Sequence, residues 1–107
     1  MNNQSSLKNN NNHYFTIDGI EFCRSIHGAY EYILPKRYIP KELIGYGSFG
    51  SVVDAFDAKE NRTVAIKKIQ NLKDEVDIKR VLREIFILKY LKHDNIIPLY
   101  DVFFVKK

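Results

Sequence analysis

Asparagine fills six of the first twelve positions, with Gln4, Ser5 and Ser6 among them, and so polar a stretch offers almost nothing to bury. Residues 1–12 are therefore expected to be a disordered tail. Over residues 13–37 aromatic and polar positions interleave, as in Tyr14-Phe15-Thr16-Ile17-Asp18-Gly19-Ile20-Glu21-Phe22. That pattern predicts short extended runs joined by a tight turn at Asp18-Gly19, forming an arm that can pack on the body of the chain. From Tyr38 the pattern becomes regular. Residues 38–44 and the valine-containing, uncapped residues 51–58 predict two strands joined by a glycine-rich loop, and polar Lys59-Glu60-Asn61-Arg62 predicts a turn. Residues 63–69 predict a third strand, with Thr63, Ala65, Lys67 and Ile69 on one face and Val64, Ile66 and Lys68 on the other. Asp74 can cap a helix in which Ile78, Val81, Leu82, Ile85 and Leu88 recur at helical spacing through residues 75–92, about four to five turns. After His93-Asp94-Asn95, residues 96–105 predict one more strand with Pro98 near its beginning. The expected class is α+β, an antiparallel sheet with one packed helix over residues 38–107, preceded by the arm and the tail.

Composition changes this picture little. With 107 residues, 45% apolar and 28% charged, the chain is one small domain at most and is not disordered throughout. Seventeen basic and thirteen acidic residues leave a net charge of +4, but the two signs are interspersed, which argues against a nucleic-acid surface. The single cysteine, Cys23, has no partner for an internal disulfide, and no Cys/His set has zinc spacing. Neither a signal-peptide core nor an apolar run near the ~18 residues of a membrane span is present. The expected setting is the cytoplasm or nucleus, without membrane or nucleic-acid partners.

The candidate chemistry begins at Gly45-Tyr46-Gly47-Ser48-Phe49-Gly50. A lone G-x-G-x-x-G is weak evidence, since glycines serve tight turns anywhere. In a dinucleotide-binding fold the third glycine must open a helix, whereas Gly50 is followed by Ser51-Val52-Val53, which is β-branched and uncapped. A Walker-type G-K-S/T is absent as well. What remains is a hairpin loop whose backbone N–H groups can lie over phosphate oxygens, because glycine has no Cβ to hold them off.

Four motifs in order carry a family resemblance. Gly45-x-Gly47-x-x-Gly50-x-Val52, then Val64-Ala65-Ile66-Lys67, then Leu82-Arg83-Glu84-Ile85 on a helix, then His93-Asp94-Asn95-Ile96-Ile97 resemble the amino-terminal lobe of a eukaryotic protein kinase. Arg37-Tyr38, Ile66-Lys67-Lys68-Ile69, Leu82-Arg83-Glu84-Ile85-Phe86-Ile87-Leu88 and the His93 motif are most similar to the mitogen-activated protein kinase branch, whose members are serine/threonine kinases. The likeness covers about residues 31–105.

The resemblance implies ATP as ligand. Ile44, Gly45, Tyr46, Gly47, Ser48, Phe49 and Gly50 would form the phosphate cover, with Phe49 at its tip, though Phe49 could equally be a surface aromatic. Val52 and Ala65 would sandwich the adenine, a role compatible with plain core packing. Lys67 would bind the α- and β-phosphates and pair with Glu84. Strand alternation points Lys67 to the same side as Ala65 and sends Lys68 away. Glu84 lies about 100° from the middle of the apolar stripe at ~100° per residue, so it can flank the sheet or form a surface pair with Arg80 at i−4. Arg80 and Arg83 match positions that meet a phosphorylated activation segment in this branch, and each could equally be a solvated helix base. His93 and Asn95 match the loop that anchors the helix. Tyr46 gains no role of its own from the resemblance.

Phosphoryl transfer in this family also needs an H-R-D-type loop, a D-F-G aspartate and an asparagine for Mg²⁺. None of these occurs in the 107 residues. The chain alone is therefore expected to be inactive, as a piece of a longer reading frame that would supply those motifs, with protein substrates and an upstream activating kinase acting on the full-length protein. The rival expectation is a non-catalytic lobe fragment that serves as an interaction module through its helix face and strand edge.

Overall fold

A computed structural model describes residues 13–48, 50–70 and 72–103. The expected tail, Phe49 and the end of the expected last strand lie outside them. The chain divides into two compact units, residues 1–70 and 71–107.

The first unit holds two three-stranded antiparallel sheets. One is built by the arm: β1 (His13–Ile17), β2 (Ile20–His27) and β3 (Tyr30–Pro35), in spatial order β1-β2-β3. The expected turn is present. Asp18 and Gly19 have φ of 51° and 80° between the paired Ile17 and Ile20, a two-residue turn whose twist suits a hairpin. A second hairpin at Gly28-Ala29, not expected from the pattern, adds β3, with His27 opposite Tyr30.

The other sheet is formed by β4 (Tyr38–Gly47), β5 (Gly50–Asp57) and β6 (Arg62–Ile69), in order β4-β5-β6. These correspond to the three strands expected from residue 38 onward, so the fold is α+β with two sheets where one was expected. Register shifts between Pro40 and Leu43 and between Leu43 and Gly45 bend β4 just before its glycines. Along β5, Ser51, Val53, Ala55 and Asp57 are buried while Val52, Asp54 and Phe56 are only half-buried, which is period-2 alternation with the core on one side. Tyr32 and Leu34 of β3 and Tyr38 complete that core. Each fully buried side chain the size of valine contributes about 1.5–3 kcal/mol.

Two of the buried side chains on β5 are polar, and both have partners. Asp57, 1% exposed, accepts a paired hydrogen bond from Arg37 Nε and Nη2 at 3.0 and 2.6 Å, and Asp57 Oδ1 also accepts the Lys59 and Glu60 amides at 3.1 and 3.3 Å. The Ala58 amide donates to the Arg37 carbonyl at 2.8 Å, so the start of β4 is tied to the β5–β6 turn. The Arg37 hydrogen bonds hold the Asp57 carboxyl down to about 2 from an ordinary 3.8, assisted by the two amides and opposed by burial. Because the folded pKa is depressed, this stability is fully present above the ordinary carboxylate value and is lost as pH falls through the folded one. Urea midpoints of the wild-type chain should therefore decline between about pH 4 and about pH 2, and the same stretch of the curve should be flatter in Asp57→Asn. Equal slopes in the two proteins would remove Asp57 from the acid transition.

The second unit contains α1 (Glu75–Tyr90), close to the expected helix. Asp74 is its N-cap and accepts the Asp77 amide at 3.0 Å, while Glu75 and Asp77 in the first turn complement the positive end of the helix dipole. The helix ends two residues earlier than expected because Leu91 turns extended, its amide donating to the Ile87 carbonyl at 2.9 Å. After it comes a turn in which His93 accepts the Asn95 amide on Nδ1 at 3.0 Å and the Ile96 amide on its carbonyl at 3.0 Å.

The expected strand over residues 96–105 is not found, since residues 96–103 have no regular secondary structure. A strand exists only through a ladder with a neighbour, Pro98 has no N–H to offer one, and the described residues of this unit contain no other strand. No described helix is long and apolar enough to cross a membrane.

Candidate nucleotide site

The front of the β4-β5-β6 sheet, opposite the buried face, carries the candidate residues in register. Gly45 on β4 lies opposite Val52 on β5, and Val52 lies opposite Lys67 on β6, so the three form one row across the sheet. Facing partners in an antiparallel pair point to the same side, which places Val52 and Lys67 together. In the next row Asp54 lies opposite Ala65. Ala65 and Lys67 are exposed and Val52 is half-buried.

The alternation expected for β6 holds: Thr63, Ala65 and Lys67 are exposed, while Val64, Ile66 and Lys68 are half-buried. Lys68 Nζ reaches back to donate to the Glu31 carbonyl on β3 and lies 5.8 Å from the centre of the Tyr32 ring. Of two adjacent lysines, one is thus directed to the arm and the other to the front.

The glycines differ in what they require. A Cβ on Gly45 would sit 3.9 Å from Val52 Cβ, an ordinary contact that would nevertheless fill the space above Val52. The front face therefore has a floor and a cation with a cradle that a methyl group would occupy, which fits a flat apolar base joined to phosphates. Gly50 is different. Its φ is 139°, and a Cβ there would lie 1.9 Å from the Lys68 carbonyl oxygen, so no side chain can enter without moving backbone.

Ser48 sits in the exposed turn between Gly47 and Gly50, which pair with each other, and Ile44 is exposed beside the bulges. Phe49 lies outside the described residues. Tyr46 is on the back row opposite Ser51, and its ring meets the Tyr30 ring edge-on at 6.1 Å between centres. Its side chain is thereby engaged by the arm, an arrangement that strand alternation from Gly45 implies but no sequence signal named. Sequence reasoning also did not find the hydrogen bond between the Tyr32 hydroxyl and Ser51 Oγ, 2.5 Å long and buried. Burial raises the Tyr32 phenol above its ordinary pKa, partly offset by that hydrogen bond.

In the second unit, Glu84, Arg80 and Arg83 are exposed on α1, and the Arg80–Glu84 surface pair is not formed among the described residues. Cys23 is half-buried, and desolvation pushes its thiol pKa up, which suits a structural side chain better than a nucleophile. Among the described residues no three His, Cys, Asp or Glu side chains gather to hold a metal ion.

The family model for the protein kinase domain matches residues 38–107. Human mitogen-activated protein kinase 13 is 42% identical over 71 residues, which cover 65% of this chain and 20% of that protein. Mitogen-activated protein kinase mpkC of Neosartorya fischeri is 43% identical over 84 residues, covering 78% of this chain and 22% of the relative. The chain thus spans about a fifth of the length of the relatives it matches. With a kinase-domain match that begins at the first residue of β4, and relatives of one branch, the chain belongs to the protein kinase family, in its mitogen-activated protein kinase branch.

Proposed function

We propose that residues 38–107 are the ATP-binding small lobe of a protein serine/threonine kinase, and that the whole protein carrying it transfers the γ-phosphate of ATP to serine or threonine of protein substrates after activation by an upstream kinase. The observation that supports this most is the Gly45–Val52–Lys67 row, an apolar floor and a cation side by side beneath a glycine hairpin. Such transfer passes through a loose transition state, so the protein contributes mainly position and charge. Gly45, Gly47 and Gly50 would lay backbone over the phosphates, Val52 and Ala65 would hold the adenine, and Lys67 would meet the α- and β-phosphates.

Glu84 would pair with Lys67 and fix its ammonium, and Arg80 and Arg83 would meet a phosphorylated segment. The family uses Mg²⁺ to neutralise phosphate charge, and its ligands would come from D-F-G and catalytic-loop motifs that the 107 residues do not contain. These residues alone would bind nucleotide without transferring phosphate.

A lysine-reactive acyl-phosphate derivative of ATP separates this reading from its rivals. Residues 1–107 should be acylated at Lys67 in preference to Lys68, and excess ATP should suppress that labelling. Equal labelling of both lysines, or labelling that ATP leaves unchanged, would remove the nucleotide assignment.

A further inference from the structure

Behind the front row lies a second one. Tyr46 on β4 is opposite Ser51 on β5, and Ser51 is opposite Lys68 on β6, each one residue along from Gly45, Val52 and Lys67. Three consecutive residues of β3 in the arm take hold of this back row, one strand each. The Tyr30 ring meets Tyr46, the Tyr32 hydroxyl hydrogen-bonds Ser51 Oγ at 2.5 Å, and the Glu31 carbonyl accepts from Lys68 Nζ. Tyr32 is 1% exposed and Ser51 0% exposed, so their hydrogen bond is shielded from competing water.

A glycine hairpin has particular need of such support. Glycine loses more conformational freedom on ordering than any other residue, and Gly45 and Gly47 bring no side chains with which to hold the loop. The register shifts between Pro40 and Gly45 interrupt the β4–β5 ladder just before the loop, so the end of β4 is tied to β5 only through the Gly45, Tyr46 and Gly47 pairs. A loop in this position binds better when its shape is set beforehand, because less ordering remains for the ligand to impose.

We infer that Tyr30, Glu31 and Tyr32 are positioning residues for the glycine hairpin, holding β4, β5 and β6 from behind at the level where their front would meet the nucleotide. The consequence for ATP rests on the function proposed above, whereas the geometry does not. The arm thereby becomes part of the nucleotide site without touching the nucleotide.

Two variants of the 107-residue chain test this by amide hydrogen exchange and by equilibrium binding of ATP. Tyr32→Phe deletes one hydroxyl, and Tyr30→Ala deletes a half-buried ring stacked edge-on against Tyr46, so the second keeps the test open if the first disturbs folding. In each, amides of Gly47, Ser51 and Val52 should exchange about fivefold faster, the factor a typical net hydrogen bond represents, while those of Ala55 and Val64 stay within about twofold of wild type. ATP affinity should fall by a similar factor. Unchanged exchange at the hairpin, or uniform acceleration along β4 to β6, would overturn the positioning role, the latter by showing only a general loss of packing. If wild type binds no ATP while the hairpin amides still respond selectively, the positioning role stands and the nucleotide reading fails. If ATP binds equally to all three proteins, the arm does not position the nucleotide site.

Discussion

Lys67→Met in the whole protein carrying this lobe should abolish measurable phosphoryl transfer, a fall of at least about 10²–10³-fold in kcat, the range seen when one preorganised charge-stabilising donor is removed from a reacting centre. Methionine keeps the length and apolar stem of lysine and loses only the ammonium, so the β6 ladder and the pairing of Lys67 with Val52 are preserved. The substitution therefore separates charge from packing. Lys68→Met is the informative companion. Lys68 Nζ is committed to the Glu31 carbonyl on the arm, and its loss should shift nucleotide affinity modestly through the back row rather than eliminate transfer. A radiolabelled-phosphate assay on a generic basic protein, together with a binding measurement for each variant, reads both effects. Wild-type turnover by Lys67→Met would withdraw the lysine assignment, and loss of transfer by Lys68→Met alone would exchange the roles of the two lysines.

The opposite directions of Lys67 and Lys68 were legible in the sequence because they depend on strand alternation, which needs no knowledge of the partner strand. Local signals of this kind served well elsewhere: Asp18-Gly19 formed its hairpin turn, and Asp74 capped the helix within its own first turn. Signals that depend on a distant partner did not. Residues 96–105 are apolar and β-branched enough to suggest a strand, yet residues 96–103 form none, because a strand is a property of a pair. Asp57 and Ser51 fall on the buried face of β5 by alternation, which says that each needs a partner and not that Arg37 and Tyr32, twenty and nineteen residues away, supply it. The arm's third strand depends on a turn at Gly28-Ala29, a dipeptide with a weak turn signature. Tyr46 rests its ring against Tyr30 of the arm, a contact between distant strands that no local pattern encodes. Of the candidate site, the sequence contained the residue types and spacing, and the structure added the register that sets Gly45, Val52 and Lys67 in one row.

The same structure divides the glycines into two kinds, and a pair of substitutions should separate them with opposite signatures. Gly50→Ala places a Cβ 1.9 Å from the Lys68 carbonyl oxygen at a φ of 139°, and the obstacle is backbone of the paired strand β6, so it cannot rotate away as a side chain could. Strain at such a position costs about 1–3 kcal/mol, with the displaced ladder adding to it, and each kcal/mol lowers the melting temperature of a domain this small by roughly 4–8 °C. A drop of about 10 °C or more, or loss of a cooperative transition, is the expected result by circular dichroism. Gly45→Ala should do the reverse. Its Cβ meets Val52 at an unstrained 3.9 Å, so folding stability should stay within about 0.5 kcal/mol or rise slightly as the unfolded chain loses freedom. The methyl group would nevertheless occupy the space above Val52 where the nucleotide is proposed to lie, and ATP affinity should fall by about tenfold, the equivalent of roughly 1.4 kcal/mol. Equal melting temperatures for wild type and Gly50→Ala would contradict the backbone clash. Undiminished ATP binding by Gly45→Ala would mean that the front of the sheet is not where the nucleotide sits, whatever the glycine pattern suggests.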